Sequence, residues 1–108
     1  MKVNGFEIYA EKDQSVIRGS LRPQDLIPAF LHVIKDTPEY RSFWFNNPEV
    51  VAVMGVEDDP RWESEAVLYF LNERLMDIMQ TYAPDGYYFG SHPGDGSDFG
   101  YWDVRLLD

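Results

Sequence analysis

The chain has 108 residues, a formal net charge of −10 and no cysteine. That length implies one domain, residues 1–108, and the missing cysteine excludes disulfides, thiolate catalysis and cysteine-based zinc sites. Hydrophobic residues make up 44% and aromatic residues 16%, a globular composition in which large rings let a short chain build a core.

The charge is unevenly placed. Residues 1–54 carry seven acids against six bases; residues 55–108 carry twelve acids against three, Arg61, Arg74 and Arg105. Such a field repels nucleic-acid phosphates and anionic lipids, so direct nucleic-acid or membrane binding is not expected. It suits a basic protein partner, or simply solubility. No stretch approaches the roughly 20 apolar residues of a membrane span. Met1 to Glu7 has no long apolar run and does not read as a signal peptide, and a cytoplasmic location is expected.

In chain order, Val3 to Glu11 alternates as a strand, with Phe6, Ile8 and Ala10 on one side. After a turn at residues 12–14, Ser15 to Gly19 makes a second strand and closes an N-terminal hairpin. A first helix is expected from an Asp25 N-cap. Pro28 then falls in the first turn, where its missing N–H costs nothing. Leu26, Ile27, Phe30, Leu31, Val33 and Ile34 give this helix its apolar face, and Pro38 stops it. Residues 38–49 read as irregular and contain the run Phe43-Trp44-Phe45. One or two of these rings suit the end of the core; a third, if exposed, would be an interface anchor. Val50 to Val56 is a β-branched run and reads as a central strand.

A second helix is expected from Asp58 or Asp59 as cap and Pro60 at the first position. Val67, Phe70, Leu71, Leu75, Ile78, Met79 and Tyr82 form its apolar stripe, and Arg61, Glu65, Asn72, Glu73, Asp77 and Gln80 its wet side. Pro84 ends it. Two strands follow, giving the order ββ-α-β-α-ββ. The expected fold is an α+β single domain with a mostly antiparallel sheet of about five strands and two helices on one face.

The C-terminal hairpin is the richest feature. If it is symmetric about Asp95, Gly90 faces Gly100, Phe89 faces Tyr101 and Tyr88 faces Trp102. Glycine pairs beside large rings let the rings fold across the backbone. Adjacent rings such as Tyr87 and Tyr88 point to opposite faces. They are either core or a binding patch: one face carries Tyr88 and Trp102, the other Tyr87, Phe89 and Tyr101, and only one of the two can pack on the helices. In the hairpin loop, His92, Asp95 and Asp98 are three apart. They suit a divalent-metal site, an acid–base pair or ordinary turn chemistry. The calcium-loop and phosphate-loop signatures are both absent, so no cofactor is implied and no catalytic residue is assigned.

The densest charge cluster is Glu57-Asp58-Asp59 with Glu63 and Glu65, around Trp62. Helix capping accounts for it. The same acids beside a ring also suit a basic groove. Candidate binding residues are therefore Trp44, Trp62, Glu57, Asp58, Asp59 and Glu63, with the hairpin rings. The run from Ala83 to Trp102, with Trp62, Glu65, Leu71, Asn72 and Glu73, resembles short proteins of bacteria, their phages and mobile elements that have no assigned activity. The resemblance carries over no catalytic residue and implies a mobile-element accessory role. The leading expectation is a non-enzymatic domain that binds a basic partner. The alternative is a small metal-dependent or acid–base enzyme centred on His92, Asp95 and Asp98.

Overall fold

A computed structural model describes residues 15–105 in full, with the backbone alone at Lys2–Val3, Phe6–Glu7 and residues 106–107. Strands β1 (Lys2–Val3) and β2 (Phe6–Glu7) pair antiparallel as a separate short ladder. Strand β3 (Ser15–Ile17) does not pair with them. It joins a three-stranded antiparallel sheet with β4 (Tyr87–His92) and β5 (Asp95–Asp103), in the order β3-β5-β4. The rest of the expected first strand, residues 4–5 and 8–11, and the expected turn at residues 12–14 lie outside the described residues.

Helix α1 (Pro23–Val33) begins two residues before the expected cap. Arg22 is the N-cap and Pro23 takes the first position, so Pro28 falls in the helix interior. A proline there loses one backbone bond and costs about 3 kcal/mol. The helix survives because Leu26, Ile27, Phe30 and Leu31 are all buried, each contributing about 1.5–3 kcal/mol. Asp25 still works at the start of the helix: it accepts from Ser20 and from Arg22, whose guanidinium also reaches Glu57 at 3.4 Å.

Pro38 opens a helix and does not merely stop one. Helix α2 (Pro38–Asn46) has Thr37 as N-cap, its hydroxyl accepting the Tyr40 N–H. Helix α3 (Pro48–Val53) starts after Asn47. The expected loop around Phe43-Trp44-Phe45 and the expected central strand at Val50–Val56 are both overturned by these two helices. Both start with proline at the first position followed by glutamate near the positive end of the helix dipole. In α3, Val50 and Val53 are buried three residues apart while Ala52 is exposed. Burying the two valines outweighs the small cost, under about 0.7 kcal/mol each, of valine in a helix.

Asp59 caps a short 3-10 turn (Pro60–Glu63), not the long helix. Ser64 caps that helix, accepting the Val67 N–H. It runs as α4 (Glu65–Tyr69), a π turn (Phe70–Leu75) and α5 (Met76–Thr81), with right-handed helical dihedrals at both junctions, and so forms one continuous rod. The fold is therefore α+β with a three-stranded sheet and four helices, counting the rod as one, among the described residues. The five-stranded sheet with two helices is not found, because two of the segments read as strand or loop are helical. The rod's apolar stripe does face the core: Val67, Phe70, Leu71, Leu75, Met79 and Tyr82 are buried.

The sheet packs on α1 and α5 through one face. Phe30 meets Phe89 and Phe99 edge-on at 5.0 and 5.6 Å. Tyr101 is fully buried and its hydroxyl donates to the Met79 carbonyl at 3.0 Å. Burial pushes the Tyr101 phenol well above the ordinary tyrosine range.

Candidate functional site

The hairpin register is the expected one along its main length. Tyr88 faces Trp102, Phe89 faces Tyr101 and Gly90 faces Gly100. Near the turn it changes. His92 pairs with Asp95, so the turn is Pro93-Gly94, and Gly96, Ser97 and Asp98 bulge from β5. The bulge anchors β3: the Ser97 carbonyl accepts the Gly19 N–H, and Ser15 donates to the buried Asp98. The helices cover the Phe89, Phe99 and Tyr101 face. The other face carries Tyr88, His92 and Trp102. A Cβ on Gly90 would sit 3.5 Å from the Tyr88 ring, so that ring lies across the bare backbone.

Several candidate binding rings are inside the protein. Trp62 is 2% exposed and its indole N–H donates to the Val56 carbonyl at 2.7 Å. Phe89 and Tyr101 belong to the main core. Trp102, on the second sheet face, is also buried; its indole N–H donates to the Gly90 carbonyl and the His92 ring stands against it at 4.8 Å. Tyr87 and Tyr88 are half-buried. Trp62, Phe89, Tyr101 and Trp102 plug the fold. The polar atoms of Trp62, Tyr101 and Trp102 are met internally, as buried indoles and phenols require.

The metal candidates do not converge. The His92 Nδ1 accepts the Gly94 N–H at 2.9 Å. Asp95 accepts from the Ser97 N–H and hydroxyl, and these bonds hold its carboxyl below the usual range. Asp98 turns to Ser15 and Arg18. No group of three or more His, Asp or Glu side chains that could hold a metal is found among the described residues.

The acidic cluster is divided. Glu57 is bridged by Arg22, and Asp59 is clasped by Arg61 at 2.6 Å, whose bonds lower its carboxyl. Asp58 and Glu63 are exposed and form no ion pair among the described residues.

Exposed aromatics lie elsewhere. In α2, three consecutive rings point in three directions because each residue turns about 100° around a helix. Phe43 is buried against Phe70, Trp44 is 41% exposed beside Tyr40 and Phe43, and Phe45 is 86% exposed. On the rod, Tyr69 is 58% exposed. Glu65, Tyr69, Glu73 and Asp77 follow at four-residue steps, all exposed. None of these three acids has an ion pair among the described residues. Tyr69 was absent from the sequence candidates, although it lies opposite the Val67–Phe70–Leu71 stripe on a helical wheel. That phase alone puts it on the wet side.

No helix among the described residues is long and apolar enough to cross a membrane. Comparison with models of known protein families, with curated proteins and with solved structures finds no match.

Proposed function

We propose that the protein is a non-enzymatic binding domain that docks a basic protein surface through the outer face of the rod. The observation that carries this reading is Tyr69, exposed between the unpaired acids Glu65 and Glu73, with Asp77 one turn further on. From Glu65 to Asp77 the charges span roughly 18 Å of helix. A rod fixes their spacing, so little side-chain or backbone ordering is needed on binding. The tyrosine adds a flat face on which lysine or arginine stems can lie. The net charge of −10 adds long-range attraction for a basic partner and repels nucleic acid. A partner whose basic surface normally meets nucleic acid fits the same charge pattern, and towards it the protein would act as an accessory or inhibitor.

The test is calorimetric titration with a lysine- and arginine-rich peptide at low and at high salt. Binding is expected at low salt and is expected to weaken as salt rises. Glu73→Lys with Asp77→Lys should abolish it. Asp36→Lys with Glu49→Lys makes the same change of net charge at two exposed acids off the rod, and should leave most of the affinity. Equal losses in the two double variants would reduce the effect to net charge and refute a defined docking face.

A further inference from the structure

A cleft of about 250 Å³ opens between α1, α2 and the π turn. Its floor is apolar and includes Phe43, Phe70 and Leu75; Glu39, Asn46 and Arg74 are among its polar lining. Four of the six described arginines hold a carboxylate: Arg18, Arg22, Arg61 and Arg105. Arg74 does not. Among the described residues its side chain makes no hydrogen bond or ion pair, although it shares the cleft with Glu39. Glu39 turns one oxygen to the Tyr82 hydroxyl; its other oxygen has no partner among the described residues.

The cleft thus presents a cation and an anion that do not satisfy each other, above aromatic and aliphatic side chains. The backbone around it is unusual as well. Phe70, Arg74 and Leu75 all belong to the π turn, a helix form that is rare and concentrates at functional sites. The volume lies below the roughly 300–1,000 Å³ typical of drug-sized ligands, so the occupant is small.

We propose that this cleft binds a free apolar α-amino acid. Its carboxylate pairs with Arg74, whose planar fork suits two carboxylate oxygens. Its ammonium pairs with the free oxygen of Glu39, and its side chain lies on Phe43 and Phe70. The two charges of an α-amino acid are fixed close together, which matches two protein charges in one cleft that do not reach each other. This site is separate from the proposed docking face, and its occupancy does not depend on that reading.

The experiment is an NMR titration of the whole chain with leucine, methionine, phenylalanine and valine. Two analogues of leucine accompany them: 4-methylpentanoate, which lacks the ammonium, and 3-methylbutylamine, which lacks the carboxylate. At least one of the four amino acids should give saturable shifts at cleft residues. Each analogue should bind about ten-fold or more weakly than leucine if leucine is bound, since each loses a charge-assisted contact. Arg74→Gln should weaken binding by a similar factor with no change in the unfolding midpoint, because Arg74 is exposed and has no structural partner to lose. Absence of saturable shifts with all four amino acids would overturn the proposal. So would 4-methylpentanoate binding as well as leucine, or Arg74→Gln leaving affinity unchanged.

Discussion

The C-terminal hairpin and helix α2 are both crowded with rings, and they dispose of them in opposite ways. In the hairpin, alternate residues go to two faces, and each face buries large rings. Phe89 and Tyr101 enter the core, while Trp102 is buried on the far side with its indole bonded to the Gly90 carbonyl. In α2 the rings of Phe43, Trp44 and Phe45 fan around one helix, so a single core can take only Phe43. Aromatic density is therefore no guide to a binding surface by itself. The backbone period decides how many rings the fold can absorb. The hairpin strands leave Tyr87 and Tyr88 half-buried and none of their rings fully exposed, whereas the helix with one covered face leaves Phe45 in water.

That contrast can be broken most sharply by truncation. Tyr101→Ala should cost about 3–5 kcal/mol, as for a fully buried ring whose removal leaves a cavity, and it also removes one of the two hydrogen bonds that the Met79 carbonyl accepts. Phe45→Ala should change stability by no more than about 0.5 kcal/mol, as for an exposed position. Urea unfolding of both variants checks this; similar losses would mean that the α2 ring is also structural. The start of α2 can be tested next. Thr37 is buried, caps the helix and donates to the Ile34 carbonyl, so Thr37→Ala should cost about 1–2 kcal/mol by the same measurement.

The smallest effect concerns pH. The Arg105 guanidinium, with its backbone N–H, holds the Asp103 carboxyl down to about 2. A depressed carboxylate adds stability that is complete above its unfolded value, about 3.9. That stability is lost as pH falls through the folded value. The acid limb of the unfolding midpoint between these values should flatten slightly in Asp103→Asn. The site is exposed, so the change should be small.

The sequence made some of this legible and hid the rest for physical reasons. The hairpin register could be read because glycines and rings recur symmetrically about residue 95, and a slip of one residue would exchange its faces. The turn could not, because the Gly96-Ser97-Asp98 bulge exists to meet Ser15 and Gly19, over seventy residues away in the chain. The rod's apolar stripe was legible from its period. Its start was not: Asp59-Pro60 is a genuine cap, but of a 3-10 turn that brings Trp62 inside. Val50–Val53 misled because β-branched residues favour strands only weakly, and burying Val50 and Val53 on one helical face overrides that preference. A local signal did exist there. Thr37-Pro38-Glu39 and Asn47-Pro48-Glu49 have the same cap-proline form as Asp59-Pro60. The cleft had no local signal, since Glu39, Phe43 and Arg74 come from separate segments, and the π turn that carries Arg74 has no sequence signature.

The most direct test of the docking claim is an NMR shift map of the protein with the lysine- and arginine-rich peptide at low salt. The largest perturbations are expected at Glu65, Tyr69, Glu73 and Asp77, with little change at Tyr88, His92 and Trp102. Perturbations centred on the hairpin face, or spread evenly over every exposed acid, would contradict it.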